Sequence, residues 1–362
     1  MIAITGADGF LGKHCRIYCK IKNIKNVLFI NKKNHKKTEI INKLKICKVF
    51  IHLAGINRIK KGKIIKKNLD ILNYYLNILE HNKCLEKIIF TSSVHKIKNN
   101  DYGKSKLQSE EILKKFCYLK KTSLRIITLS NIFGEFCKPN YNSVTATFCN
   151  NLIMNKKIKI EKNNKINLVY VKDAVENIFS NLIKNKSISK DKYTLISVKN
   201  LQDKLYKFKE DYFNNIIPKF KNNFEVNLFN TFRSYAFPKK IVLKSKVRSD
   251  IRGSLWEIIK SKKSAHLFIS TTNKGQIRGN HFHTKKIERF IILHGSAVIK
   301  FRHIFDKKIY KFTINSKQKC SIDIPTYCTH SLTNKLNEKL ITLFYTNEIY
   351  DPKKTDTYYE KV

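Results

Sequence analysis

The sequence has no apolar run approaching the ~18 residues that a membrane-spanning helix requires. It has no basic leader followed by an apolar core at its start, and opens on residues patterned as a strand, so a cytoplasmic protein is expected. It has no CxxC pair. Nine cysteines, at positions 15, 19, 47, 84, 117, 137, 149, 320 and 328, are odd in number and suit reduced thiols better than a disulfide framework. No internal repeat appears, and no Gly/Ser-rich or Pro-rich linker interrupts the chain, so any two halves are expected to touch.

Acidic residues are also scarce: 27 Asp+Glu stand against 73 Lys+Arg, a formal charge of +46. Such an excess naively points to a polyanion. The basic residues form no single arm or stripe, however. Lysine, asparagine and isoleucine are abundant everywhere, including inside segments that pattern as ordinary helices and strands, as a coding bias towards A and T would produce. No specific nucleic-acid binding is expected, only a diffuse positive field that favours anionic ligands.

At 362 residues the chain is long enough for two domains, each with its own core. Met1 to Thr5 reads as a buried strand and runs directly into Gly6-Ala-Asp8-Gly9-Phe10-Leu11-Gly12, which opens a helix continuing past His14 to Lys20. Glycines here permit a tight turn and the close approach of a pyrophosphate, whose charge a helix N-terminus favours. Gly6, Asp8, Gly9, Phe10, Leu11 and Gly12 are therefore candidate dinucleotide contacts. A second strand, Val27 to Ile30, ends at Asn31-Lys32-Lys33 with no acid to take the ribose hydroxyls. Asn31 and Lys32 instead suit a 2′-phosphate, and NADPH is the expected cofactor.

A third strand, Val49 to Leu53, ends in His52-Leu53-Ala54-Gly55, where small residues let backbone pass close to a cofactor. A helix over Asn68 to Glu80 and a fourth strand, Lys87 to Phe90, follow. Thr91-Ser92-Ser93 lies at that strand's carboxyl end, where open α/β sheets place their chemistry. Tyr102-Gly-Lys-Ser-Lys106 then opens a helix, and the i, i+4 spacing puts Tyr102 and Lys106 on one face. A neighbouring ammonium is expected to lower the phenol below its ordinary value of about 10. Ser93 can orient a carbonyl, Tyr102 can donate a proton to its oxygen, and Lys106 can tune the tyrosine and bind the ribose. The glycine loop, HLAG, paired serines and YxxxK in this order resemble the extended short-chain dehydrogenase/reductase family, which implies a Rossmann-like, doubly wound parallel sheet. Leu168 to Val171 and Asp173 resemble the segment by which extended reductases bring a second lobe over a nucleotide sugar, and Asn131, Asn140, Tyr141 and Asn142 are candidate substrate contacts.

Residues 194 to 237 read as irregular and rich in Lys, Asn and Phe, with amphipathic helix patterning around Leu201 to Tyr212. The boundary is placed near Pro238, giving domains 1–238 and 239–362. Beyond it the pattern becomes short strands, as a small β-barrel requires. His281 and His283 alternate onto one face of a strand, a short turn can return Glu288 towards them, and His330 lies on a later strand. Three histidines and a carboxylate suit a divalent ion such as Zn²⁺, Fe²⁺, Mn²⁺ or Ni²⁺, zinc being the first choice. The run from Gly275 through these ligands to Gly295, with Pro325, His330 and Asn334, resembles both signature motifs of the cupin superfamily; Tyr327 stands where the second motif usually has glycine.

Taken together, HLAG-INR, YGKSKLQSEE, NIFGEFCKPNYNSVTATFCNNL, DIRGSLWE, RGNHFHTKKIERF and NEIYDPKKTDT resemble a family of bifunctional capsular polysaccharide enzymes that fuse such a reductase to a cupin. That resemblance implies a UDP-keto-sugar substrate in capsular or surface polysaccharide biosynthesis. The cupin would epimerise C3 of a UDP-4-keto-6-deoxy-N-acetylhexosamine. The reductase would then use NADPH on the C4 ketone to give a UDP-2-acetamido-2,6-dideoxy-L-talose. A homodimer is the expected assembly. Asp250 and Arg252 resemble residues that open sugar-nucleotide epimerase cupins, where an arginine meets phosphate. Lys285, His294 and Tyr327 are candidate proton carriers, and Cys328 is a further thiol beside the ligands. The ion can polarise the ketone or hold the barrel together; the alternative is a cupin that only dimerises.

Overall fold

A computed structural model describes the chain except residues 59–61, 98–99, 184–192, 252, 257, 262–265, 350, 352 and 354. Its first elements are β1 (Ile2–Thr5), α1 (Phe10–Ile21), β2 (Val27–Ile30), α2 (Thr38–Leu44), β3 (Val49–His52), α3 (Ile64–Glu80), β4 (Lys87–Ser93), α4 (Asp101–Leu119) and β5 (Ser123–Leu129). The five strands form one parallel sheet in the order β2-β1-β3-β4-β5. Parallel strands bury both faces, so these segments read as nearly continuous apolar runs. Alternation then divides the residues: Ala3, Phe50, Ile88 and Phe90 pack with Leu72, Leu76, Leu79 and Leu113 of α3 and α4. Ile4, Ile51 and Ile89 pack on the opposite face with Cys15 and Cys19 of α1. The order reverses between β1 and β3, and the crevice beyond their carboxyl ends is where such a sheet takes a ligand.

The chain continues through β6 (Asn131–Phe133), α5 (Val144–Ile153), β7 (Lys165–Tyr170), α6 (Val171–Ile183), β8 (Tyr193–Ser197), α7 (Val198–Phe213), β9 (Ile216–Ile217) and α8 (Asn223–Ser234). Strands β6, β7 and β8 make a small separate sheet, and α6 adds Ala174, Val175, Ile178 and Phe179 to the α1 face of the parallel sheet. By contact density the chain forms two compact units, Met1–Ser143 with Lys165–Ile196, and Val144–Asn164 with Ser197–Val362. Pro238 thus falls inside the second unit. Residues 194 to 237, read from sequence as irregular, carry a second helix there. Asn222 caps α8 through the backbone N–H of Glu225, and Leu228, Phe229 and Phe232 are fully buried.

In the second unit the remaining strands are β10 (Val242–Lys244), β11 (Val247–Asp250), β12 (Gly253–Trp256), β13 (Lys260–Ser261), β14 (His266–Thr272), β15 (Ile277–Phe282), β16 (Glu288–His294), β17 (Ser296–His303), β18 (Tyr310–Asn315), β19 (Cys320–Ile324), β20 (Cys328–Asn334), β21 (Leu340–Thr346) and β22 (Tyr358–Tyr359). Ten of them build two five-stranded antiparallel sheets, β10-β19-β16-β21-β14 and β18-β17-β20-β15-β22, as a β-barrel requires, while β11 pairs with β12 and β13 with β9. Phe282, Ile299, Phe301, Ile322 and Ile324 are buried between strands. Among the described residues no helix is long and apolar enough to cross a membrane.

Candidate active site and metal centre

At the carboxyl ends of the parallel strands lies a cleft of about 650 Å³. Of the residues picked from sequence, Gly6, Gly9, Phe10, Leu11, Gly12, Leu53, Gly55, Ser93, Tyr102, Lys106, Asn131, Tyr141 and Asn142 line it. Gly12 cannot carry a side chain: a Cβ there would sit 2.2 Å from the Gly6 carbonyl oxygen, so the glycine brings the first turn of α1 against the loop. Asp8, Asn31, Lys32, Ala54 and Asn140 are not among the lining residues. Asp8 pairs with Arg16 at 3.1 Å. Asn31 Oδ1 accepts the backbone N–H groups of Lys33 and Asn34, at 2.9 and 3.2 Å, closing its own turn, and Lys32 is exposed.

Helix α4 delivers the tyrosine and lysine. Asn100 caps it through Gly103 N at 2.8 Å, and one turn separates Tyr102 from Lys106, whose Nζ lies 5.7 Å from the phenol ring centroid. Lys106 is buried and donates to the Thr91 carbonyl at 2.8 Å, tying α4 to the end of β4. Burial lowers its pKa to about 8, so the ammonium is still the main form at neutral pH. The expected lowering of the phenol is not found. Burial, reinforced by Tyr141, raises Tyr102 to about 12, because loss of hydration opposes the phenolate. Ser93 Oγ accepts the His95 backbone N–H at 3.2 Å at the same edge.

Several contributors were not picked from sequence. Asn68 receives Ile56 N at 2.7 Å and donates to Ile56 O and Ser105 Oγ at 2.9 and 3.2 Å, joining the segment after HLAG to α4. The His95 ring lies 3.3 Å from Asn131 Oδ1 and lines the cleft. Arg58 donates to Asn142 Oδ1 and the Asn140 carbonyl at 3.1 and 3.3 Å, bracing the loop that carries Tyr141. Arg58 and Asn68 gave a sequence signal only as the INR of HLAG-INR and as the start of a helix.

In the barrel, one potential ligand atom from each of His281, His283, Glu288 and His330 falls within 4.8 Å of the others. His281 and His330 are cross-strand partners on β15 and β20, while Glu288 comes from the other sheet, so the cluster lies between the two. The register shifts between Gly279 and His281, a bulge that sets His281 opposite His330. Gly279 is required: its φ is +98°, and a Cβ would lie 2.5 Å from the His330 carbonyl oxygen. Tyr327, where a glycine was anticipated, holds φ +59° and donates its backbone N–H to the His283 carbonyl at 2.7 Å. A residue with a Cβ thus takes the left-handed backbone that this turn imposes.

The donor set suits a cation. His283 Nδ1 lies 2.6 Å from the Asp356 carbonyl oxygen, which accepts its proton and leaves Nε2 as a lone pair. That Nε2 is buried without a hydrogen-bond partner, although Glu288 Oε2 is 2.6 Å away. A proton on Nε2 or a cation between the two atoms satisfies both at this distance. Burial lowers His281 and His330 to about 4 and about 3, keeping both imidazoles neutral as ligands must be. Burial raises the Glu288 carboxyl, and protonation of the neighbouring histidines, His283 first, together with a His283 hydrogen bond, pulls it the other way.

None of the other barrel candidates is part of this four-residue group. Lys285 pairs with Glu348 at 3.3 Å and His294 with Glu338 at 3.0 Å, both at the surface. Cys328 is fully buried, outside the ligand set, and burial pushes its thiol far up, so it is no additional thiolate at the site. Arg252 lies outside the described residues.

A parallel sheet with a glycine loop, Ser, Tyr and Lys on one cleft, followed by a barrel with a three-histidine, one-carboxylate cluster, defines a reductase-like domain joined in sequence to a β-barrel domain. Residues 80–195 match the NAD dependent epimerase/dehydratase family, and residues 248–358 match the polysaccharide biosynthesis C-terminal domain. The chain is similar to the capsular polysaccharide assembling protein CapF of Staphylococcus aureus, with 30% identity, 100% of this chain and 99% of that chain covered, and a TM-score of 0.63. A structure of CapF with the inhibitor 3-isopropenyl-tropolone matches at 29% identity and TM-score 0.61 over 100% and 99% of the two chains. The UDP-2-acetamido-2,6-beta-L-arabino-hexul-4-ose reductase of Pseudomonas aeruginosa is 29% identical over 99% of this chain and 97% of its own. The chain belongs to the CapF family.

Proposed function

We propose that this protein is a bifunctional nucleotide-sugar enzyme of capsular or surface polysaccharide biosynthesis. Its barrel epimerises C3 of a UDP-4-keto-6-deoxy-N-acetylhexosamine, and its N-terminal domain reduces the C4 ketone to a UDP-2-acetamido-2,6-dideoxy-L-talose. The observation that carries the reading is the coexistence in one chain of two assembled constellations, Ser93, Tyr102 and Lys106 on one cleft and the buried His281, His283, Glu288 and His330 cluster. The two steps fit chemically, because the ketone that acidifies the C3 proton is the group later reduced.

In the reductase domain bound NADPH supplies the hydride to C4. Tyr102, at a pKa of about 12, keeps its proton throughout the working range and delivers it to the carbonyl oxygen. Ser93 orients that oxygen, and Lys106 offers positive charge beside the phenol and the ribose. The glycine loop seats the pyrophosphate at the N-terminus of α1. Asn31 and Lys32 are assigned to the 2′-phosphate, and Asn131, Asn140, Tyr141 and Asn142 to the sugar nucleotide. In the barrel, the C3 proton leaves one face and another returns on the opposite face, with no net change in atoms. A divalent ion, Zn²⁺ in this reading, would supply polarisation of the ketone or a cross-link between the sheets. His283 is held in the ligating tautomer by Asp356. We assign 1–238 to the reductase and 239–362 to the cupin as functional modules, and place the protein in the cytoplasm as a homodimer.

Mixing the purified, zinc-loaded protein with the UDP-keto-sugar and NADPH in deuterated water tests this: cofactor is oxidised and deuterium enters at C3. No NADPH consumption would overturn it. A second reading keeps the reductase and makes the barrel a dimerising module without chemistry. It draws on Lys285 and His294 being engaged by surface carboxylates. Under it wild-type protein shows no C3 exchange, and His281→Ala leaves reduction of the already epimerised ketone intact.

A further inference from the structure

The turn between the ligands His283 and Glu288 is held on both sides. On its amide side the buried Asp356 carboxylate takes Thr284 N at 3.1 Å, Lys285 N at 2.7 Å and Lys286 N at 2.8 Å, and Asn347 Oδ1 takes Ile287 N at 2.7 Å. On its carbonyl side the donors come from α8, a helix that precedes the barrel in sequence. Asn230 Nδ2 donates to Lys285 O at 2.7 Å and Arg233 Nη2 to Lys286 O at 3.0 Å.

Arg233 is fully buried, and its guanidinium spends each edge on a different partner. Nε donates to Asn230 Oδ1 at 2.9 Å and Nη1 to Asp323 Oδ1 at 2.8 Å. The same Asp323 oxygen accepts Arg289 Nε at 3.1 Å, and Arg289 follows the ligand Glu288 directly. One carboxylate therefore anchors both the helix and the strand residue beside a ligand. A planar fork with donors in fixed directions can bridge three acceptors in this way; a lysine ammonium on a flexible stem reaches them less well.

We propose that Arg233 and Asn230 are positioning residues for the barrel's metal centre, fixing the separation and aim of His283 and Glu288 through the carbonyls of the turn between them. The inference rests on the metal centre proposed above. Residues supporting metal ligands typically contribute 10- to 100-fold in metal affinity. Their sequence signal was faint, because they lie in a stretch with no cupin pattern.

The test uses the full-length protein loaded with Zn²⁺ and titrated with a chromogenic chelator at neutral pH. Arg233→Lys is expected to raise the apparent zinc Kd about 10- to 100-fold, while NADPH oxidation with the already epimerised ketone stays at the wild-type rate. Asn230→Ala is read in the same way and serves if the lysine variant fails to fold. Unchanged zinc affinity with a lowered Tm of the zinc-free protein would assign these residues to general stability and overturn the inference. Wild-type protein that binds no zinc would overturn it together with the metal centre. Wild-type protein that binds zinc but exchanges no C3 proton would remove only the proposed epimerisation, and the zinc titration of the variants would still decide this inference.

Discussion

Thr5 and His52 are register partners on adjacent parallel strands, and the Thr5 hydroxyl oxygen lies 3.0 Å from His52 Nδ1. The same oxygen accepts the backbone N–H groups of Leu53 and Ala54, each at 3.2 Å, so its own proton goes to the imidazole. One hydroxyl thereby fixes both the neutral histidine and the HLAG backbone beside the cofactor cleft. Thr5→Val would leave these amides without an acceptor, at a cost of about 1–3 kcal/mol for an unsatisfied buried donor. The expected result is a several-fold rise in KM for NADPH with kcat little changed, and recovery in Thr5→Ser, checked by steady-state kinetics.

Acid should weaken the N-terminal domain. Burial lowers His14 to about 4 and His52 to about 3. In the unfolded chain a histidine takes up its proton near pH ~6.5. Between that pH and about 4 the unfolded state binds more protons, so stability falls as pH falls. Tm should therefore decline steadily from pH 6.5 to pH 4, and a Tm level over that range would contradict the assignment.

Tyr102→Phe removes the only hydroxyl that α4 brings to the cleft at this position. NADPH oxidation should drop by roughly 10²- to 10⁴-fold, the usual contribution of a positioned acid. Deuterium exchange at C3, followed by NMR, should continue. Loss of both activities together would place the tyrosine in a structural role.

Asp356→Ala takes away the acceptor shared by three consecutive amides beside His283. Zinc affinity is expected to fall about 10- to 100-fold, measured by chelator competition, with reduction of the epimerised ketone unaffected.

Most of the reductase fold was legible because parallel strands buried on both faces leave short apolar runs, as in Ile2–Thr5 and Val49–His52. That His281 and His283 fall in one cluster was legible because a period of two carries both to one face. Helix α8 was not: its apolar positions, Leu228, Phe229 and Phe232, are diluted by asparagines, and its start depends on the cap at Asn222. Asp356 and Arg233 escaped for a different reason. Each acts on backbone atoms 70 or 53 positions away in sequence, at Lys286, and such contacts leave no periodicity to read. Tyr102 shows that local charge arguments fail where burial dominates: the phenol is raised although a lysine stands one turn away.

The strap from Asp356 also constrains biogenesis. The turn at Thr284 gains its anchor from a residue 72 positions later, so a ribosome must translate past that aspartate before the turn can be strapped. Nascent chains arrested upstream of it should hold zinc more weakly than chains that include it.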